Sequence, residues 1–379
     1  MCCCCCVKMT STEELACYER DARKYAVQYV WPDISEEAVI LKHLSIATTN
    51  IVFCCGAPGH KERVCVRFFG KGSDSIVNRE EEQQLMTHLG KDGLCPLLIA
   101  KIPDGVVQSF VEGVTLDLCS EIVHYHRPYA ETLARWHTSD LTLVLPDVRC
   151  CIWDRMDDWL KQLTELVGSE NASPFVKEAA ALHAYINAEA VSRPGDLVPV
   201  LCMCHNDTSA FNVVFSHKID DSGDDDDTCR ATLIDLEYAD YNDPHFDLGN
   251  HICEHSGLEM DLSLWPSDDV QRHFVRQYLL ALAKCKGLDP ATAVTEEVVE
   301  LERMRTLRWC LVSHLLWAVW GIVRFAHAGF VPVCGFDHFD YMLKRTRAYV
   351  LQKRALGFHT DVPDDSLANY PLDNLKKKK

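Results

Sequence analysis

The hydrophobic pattern of this chain changes period once, and that change limits its architecture more than any other feature. Up to Val111 the apolar residues fall in short strand-like runs. Ile46 to Cys55 and Arg63 to Phe69 are joined by Gly56-Ala57-Pro58-Gly59, and Leu97 to Ile102 and Val106 to Val111 flank Pro103-Asp104-Gly105. Turn residues between such runs predict hairpins. A helical stretch, Ile76 to Leu89, separates the two pairs, and an amphipathic one, Thr12 to Val30, precedes them with Ser11 or Thr12 as cap and Glu14 in its first turn. From Leu116 onward helical spacing takes over, over Asp117 to His137, Trp153 to Val167, Pro174 to Ala190, Asp268 to Lys284, Glu296 to Ala326 and Phe336 to Leu351. Only Asn212 to Phe215 and Ala231 to Leu236 read as strands among these helices. The pattern predicts an α+β, bilobal chain: a small β-rich lobe over 12–111, a larger mainly helical lobe over 112–358 with an acidic insertion at 218–229, and tails at 1–11 and 359–379.

The 379 residues, 47% hydrophobic and 25% charged, are enough for two packed lobes. A net charge of -18 repels phosphate backbones over most of the surface and argues against a nucleic-acid partner. Twenty cysteines without a secretory leader or CxxC pairs beyond the N-terminal run point to a reducing, cytoplasmic compartment. The run Cys2 to Cys6 offers adjacent thiols for palmitoyl anchoring, although Cys at position 2 rules out a myristoylation signal; the alternative is an idle tail. The basic tag Lys376 to Lys379 is too short to be read as an address. Asp220 to Asp227 is a solvated acidic loop whose spacing is not that of an EF-hand. Trp309 to Val323 is the most apolar stretch. It contains Ser313 and His314 and falls short of the roughly 18 to 20 residues a bilayer requires, which predicts a buried helix and no transmembrane segment.

Chemistry concentrates in Met203-Cys204-His205-Asn206-Asp207-Thr208-Ser209-Ala210-Phe211-Asn212, followed by Leu233-Ile234-Asp235-Leu236-Glu237. Phosphoryl transfer from ATP needs a carboxylate to orient and deprotonate the attacking hydroxyl, an amide oxygen for magnesium and a second carboxylate on the metal. Asp207, Asn212 and Asp235 supply one each. Taken singly, each has a plain structural reading, an Asx turn or a strand-end cap. The ordered triple, behind a β-rich lobe and inside a helical one, points to a kinase.

Three blocks extend the match: His205-Asn206-Asp207 with Asn212, then Ile234 to Ala239 with Tyr241-Asn242, then Phe246-Asp247-Leu248-Gly249-Asn250-His251 with Glu254. In this order they resemble the choline/ethanolamine kinases, over about Ser45 to Tyr341. The resemblance implies a protein-kinase-like fold, with 12–111 as the ATP-binding lobe, ATP and Mg2+ as cofactors, and phosphorylation of a small amino alcohol. It gives Asp207 the role of catalytic base, and Asn212 and Asp235 that of metal ligands. Arg67, in Val64 to Gly70, matches the strand residue that reaches the nucleotide phosphates, with Glu82 holding it as a carboxylate partner. Gln108 to Val111, including Phe110, resembles the interlobe connection that meets adenine. The phosphate-covering loop departs from the family: Ile46-Ala47-Thr48-Thr49-Asn50 stands where Gly-Gly usually precedes Thr-Asn. Thr48, Thr49 and Asn50 can still donate hydrogen bonds, while side chains in place of glycine crowd the turn and weaken the nucleotide site.

A quaternary ammonium relies on aromatic faces, whereas a primary one gains most from charged acceptors. Trp317 and Trp320 lie one helical turn apart, a spacing ordinarily found in cores, and Ser313 to Trp320 resembles the family segment that walls the amine pocket. Tyr238 and Glu254 match pocket positions too. Choline kinases typically continue after that Glu with aromatic residues, whereas this chain has His255-Ser256-Gly257, closer to the ethanolamine kinases. The expectation is ATP-dependent phosphorylation of ethanolamine, with choline as second substrate, at the entry to phosphatidylethanolamine and phosphatidylcholine synthesis. A choline-preferring kinase, an aminoglycoside-type phosphotransferase and a non-catalytic pseudokinase stand as alternatives, and monomer or homodimer is left open.

Overall fold

The computed structural model describes residues 12–44, 50–70, 78–116, 119–190, 197–219, 228–332 and 335–372. Thr48, Thr49, Cys2 to Cys6, Asp220 to Asp227 and Lys376 to Lys379 lie outside the described residues. The chain forms two compact units: Met1–Thr115 with Leu143–Leu145 and Phe211–Tyr238, and Leu116–Thr142 with Pro146–Ala210 and Ala239–Lys379.

The first unit is built on an antiparallel sheet of β1 (Ile40–His43), β2 (Asn50–Gly56), β3 (Val64–Phe69), β4 (Leu98–Ile102) and β5 (Gly105–Ser109), in the order β1-β2-β3-β5-β4. Both predicted hairpins form. The edge strand β1 went unread because its side chains are largely exposed and show no alternation. Helix α1 (Thr12–Tyr29) lays Ala22 and Ala26, one turn apart, into a core with Phe53, Val66 and Phe68. Helix α2 (Arg79–Leu89) follows β3, capped by Asn78 accepting from the Glu81 amide.

In the second unit α3 (His126–His137), α4 (Cys151–Val167), α5 (Ser169–Ala190), α6 (Pro244–Glu254), α7 (Asp268–Cys285), the short α8 (Pro290–Ala293), α9 (Glu296–His327), α10 (His338–Ala355) and the short α11 (Asp365–Ala368) carry the mass. The strands β6 (Cys202–Cys204) and β9 (Asp240–Asn242) pair antiparallel within it. The hairpin of β7 (Val213–Phe215) and β8 (Ala231–Leu233) belongs to the first unit, where Phe215 bridges Val114 and the Leu233 amide donates to the Leu94 carbonyl.

The continuous helix expected over Asp117 to His137 is instead a 3₁₀ stretch, Cys119–Tyr125, that turns α-helical only at His126. Pro128 explains the break: its ring clashes with the carbonyl four residues back in an α-helix and is tolerated in a first turn. Every residue of helix α6 is buried. Helix α9 is long and apolar enough, by length and composition, to cross a membrane, but 94% of its apolar window is buried within the fold. It packs against α4, α5, α6, α7 and α10.

Where α6 crosses α9, Gly249 removes the side chain that would separate them. A Cβ there would sit 2.8 Å from the Cys310 amide nitrogen and 3.0 Å from the Thr306 carbonyl oxygen. Alanine gains about 1 kcal/mol in helix propensity, but overpacking against backbone, which cannot rotate away, costs about 1–3 kcal/mol. We expect Gly249→Ala to lose stability in urea unfolding, by roughly 1 kcal/mol or more; a variant as stable as the parent would show that the two helices part freely.

Candidate active site

The loop after β6 is held by one carboxylate. Asp247, fully buried on α6, accepts the backbone amides of His205 and Asn206 at 2.8 Å each, and His137 Nε2 approaches the same carboxylate at 3.1 Å. His137 Nδ1 lies 2.8 Å from the Tyr278 hydroxyl, so all four atoms are satisfied when Nε2–H donates to Asp247 and Nδ1 accepts from Tyr278. Asn206 takes a left-handed conformation, φ 62°, that asparagine tolerates better than most residues. Its amide is locked by Asn242, which donates to Oδ1 at 2.8 Å, and by the Asp240 carbonyl. The reversal that follows presents Asp207, half-buried, between two fixed neighbours. Thr208, on the far side, donates to the Asp247 carbonyl at 2.8 Å.

A second set of bonds continues from Thr208. Asn250 donates to the Thr208 hydroxyl at 3.3 Å, while its own Oδ1 accepts from Ser313 at 2.7 Å and from the Trp317 indole at 2.8 Å. Trp317 and Trp320 meet edge to face with centroids 5.9 Å apart, and Trp320 meets Tyr341 at 6.0 Å. Arg345, which hydrogen-bonds Tyr341, pairs with Glu254. Glu254, Trp317 and Trp320 thus belong to one cluster of the second unit, and Tyr238 lies buried in the first.

The first unit holds the remaining described residues of the expected set, in three groups. Arg67 on β3 donates to Glu82 Oε1 at 2.7 Å, and Arg79, one turn before Glu82 on α2, holds Oε2 at 2.9 Å. Burial opposes ionisation of Glu82, but the two guanidiniums outweigh it and hold its carboxyl below the usual range. Burial likewise opposes the charge on Arg67, and Glu82, Asp235 and Glu237 more than compensate. Asn50 opens β2 with its Oδ1 3.5 Å from Arg79. Gln108 is half-buried on β5, and the Phe110 ring carries the Arg63 guanidinium 4.2 Å from its centroid. Asn212 and Asp235 stand at one end of the β7–β8 hairpin, where the Ile234 amide donates to the Asn212 carbonyl at 2.9 Å. Asp235 has φ 66°, and its Oδ1 is buried without a hydrogen-bond partner.

The sequence profile of the choline/ethanolamine kinases matches residues 41–350. The chain belongs to that family. Among its relatives, a probable choline kinase 3 of Arabidopsis thaliana is 27% identical, the match covering 87% of this chain and 92% of the relative. Ethanolamine kinase 1 of Homo sapiens is 26% identical over 92% of this chain and 74% of its own length. The crystal structure of a choline kinase from Cryptosporidium parvum superposes with a TM-score of 0.70 at 18% identity, covering 88% of this chain and 95% of that one, and shares the protein-kinase-like fold. Membership makes the chain an ATP-dependent phosphotransferase whose acceptor is the alcohol of ethanolamine or choline.

In this family member several supporting residues carried no role in the sequence reading. Asp247 and Asn250 stood inside the third recognised block, but their work is to bond a backbone and an indole that are distant along the chain. Arg79 was signalled only by its i, i+3 spacing to Glu82, and His137 and Arg345 by nothing local.

The Glu82 pair dictates a pH dependence. Because the folded-state pKa lies below the unfolded one, the stabilisation is complete above the ordinary glutamate value of about 4.3 and disappears as the pH falls through the folded value. Glu82→Gln should lower stability at neutral pH by roughly 3 kcal/mol, and the gap from the parent should close as the pH drops below about 4. A difference between parent and variant melting temperatures that stays constant from neutral pH down to acid would contradict this.

Proposed function

We propose that this kinase transfers the γ-phosphoryl group of ATP to the hydroxyl of ethanolamine in preference to choline. The observation that carries the reading is the hydrogen-bond chain Thr208–Asn250–Trp317, which ties the residue following Asp207 to the first of two adjoining indoles. An amine held against that aromatic face and a hydroxyl presented to Asp207 would then belong to one small molecule. Asp207 would orient the hydroxyl and take its proton. Its backbone needs no rearrangement to do so, because Asp247 already fixes the loop. Arg67, steadied by Glu82, would meet the nucleotide phosphates with a guanidinium fork.

Asn212 and Asp235 would hold Mg2+. The donor set fits a hard cation, and the buried Asp235 Oδ1 lacks a protein partner that would compete for it. When bound, the ion neutralises charge on the transferring phosphoryl group.

Ethanolamine is favoured because the residues after Glu254, His255-Ser256-Gly257, add no six-membered aromatic wall for a quaternary head group; the Glu254 carboxylate itself is paired with Arg345. The Trp317, Trp320 and Tyr341 cluster supports choline as a second substrate, since such faces suit a quaternary cation. The thirteen cysteines whose side chains are described are free thiols, which supports a cytoplasmic setting.

Measured with Mg-ATP, kcat/KM should fall along the series ethanolamine, its mono- and dimethyl derivatives, and choline; a rise with methylation would reverse the preference. Asp207→Ala should lower kcat by about 10² to 10⁴-fold with an unchanged unfolding midpoint. Undiminished turnover in the purified variant would remove Asp207 from the chemistry.

A further inference from the structure

The sequence reading left His255 only as an absence of aromatic bulk, but the fold gives it company. His126 begins α3, His251 lies in the last turn of α6, and His255 follows one turn later, so the latter two share a helix face. All three are buried, 1%, 1% and 4% exposed. One ring nitrogen from each falls within 4.8 Å of the others, and His126 Nε2 and His255 Nε2 are 3.3 Å apart. Two nitrogens bound at about 2.0–2.1 Å in a tetrahedral site are themselves about 3.3–3.4 Å apart. That edge of a coordination polyhedron is already present.

Packing does not account for the cluster. Both ring nitrogens of His251 and Nδ1 of His126 are buried without a hydrogen-bond partner, and each such atom costs about 1–3 kcal/mol when left unsatisfied. Tyr129 stacks on His251 at 4.5 Å, and Phe274 closes on His251 at 4.3 Å and on His126 at 4.9 Å, making an apolar shell that offers those nitrogens nothing. A cation would supply the missing partner at one His251 nitrogen and take the place of the hydrogen-bond contact between the Nε2 atoms of His126 and His255.

We propose that His126, His251 and His255 form a binding site for a divalent transition metal of the zinc class. Three imidazole nitrogens suit Zn2+ or Co2+ and not Mg2+, which takes oxygen ligands, so the site does not duplicate the one at Asn212 and Asp235. No fourth described His, Cys, Asp or Glu joins the group, which leaves one position for water. Burial, with each ring's neighbours adding to it at His126 and His251, pushes all three imidazoles below their ordinary range, His255 to about 4, and this keeps them in the form that binds metal. The ion would clamp the start of α3 to the end of α6, next to Glu254. At their other ends the same two helices are already joined by His137 and Asp247. A second group, His137, Cys202 and Cys204, is the weaker candidate because both nitrogens of His137 already have partners.

The test uses full-length protein stripped with chelator, dialysed against Zn2+ or Co2+ and freed of excess. We expect one equivalent of metal per chain, a visible ligand-field spectrum with Co2+, and a higher unfolding temperature for the zinc-loaded than for the stripped protein. His126→Gln and His255→Gln, checked for folding by circular dichroism, should each lose the spectrum and the shift, whereas the exposed His88→Gln should keep both. Absence of stoichiometric metal in the parent, or retention of the spectrum in a folded His255→Gln, overturns the proposal. Should both ligand variants fail to fold, X-ray absorption of the zinc-loaded parent decides. A shell of nitrogen and oxygen at about 2.0 Å with imidazole scattering supports the site, and sulfur at about 2.3 Å moves the metal to the cysteine group and overturns it.

Discussion

The Asp247 carboxylate accepting the amides of His205 and Asn206 is the contact on which the loop after β6 depends. A buried carboxylate left alone is costly, and hydrogen bonds to a charged group contribute about 1.5–3 kcal/mol each. Three donors therefore more than offset the roughly 1–2 kcal/mol spent on holding Asn206 in a left-handed conformation. Rigidity here has a use. In the role proposed for Asp207, a base that meets a hydroxyl in one geometry gains most when its loop has no freedom left to lose.

Helix α6 then distributes that rigidity. Asp247, Asn250, His251 and Glu254 recur at i, i+3, i+4 and i+7, so one face of a single helix fixes the loop, bonds an indole, joins a histidine cluster and carries a carboxylate. The arrangement requires α6 to lie close against α9, and Gly249 makes that approach possible. Asp243 caps the helix, and His245 ties the same end to Glu302 on α9 at 2.5 Å. Burial works against a charge on His245, but Asp243 and Glu302 raise its pKa above the ordinary value. Helix α6 is thus anchored to α9, the longest helix of the unit.

Much of the fold was legible because its signals are local. The hairpins of the first sheet announced themselves through Gly56 to Gly59 and Pro103 to Gly105, and the long helices through their period. What escaped reading had no local signature. The edge strand Ile40–His43 is solvent-facing, and β6 and β9 are three residues long, so the alternation that marks a strand never develops. The candidate residues followed the same division: Asp207, Asn212, Asp235 and Arg67 were proposed from motifs, whereas Arg79, His137 and Arg345 act only on partners far along the chain or across a turn.

Read alone, the order of residues settled the class of chemistry, because the motif blocks that mark this kinase family, and their spacing around short strands, are local properties of the chain. It also settled the two kinds of lobe, since hydrophobic period selects strand or helix before any long-range contact forms. Tertiary structure decided which groups are held and by what: that Glu82 is shared between two arginines, that Asn250 spans Thr208 and Trp317, that Phe211 to Tyr238 packs with the first unit, and that three histidines from two helices face one another. Those outcomes depend on burial and on approach between distant segments, where desolvation makes each unpartnered charge or hydrogen bond expensive, and no period or spacing in the chain encodes them.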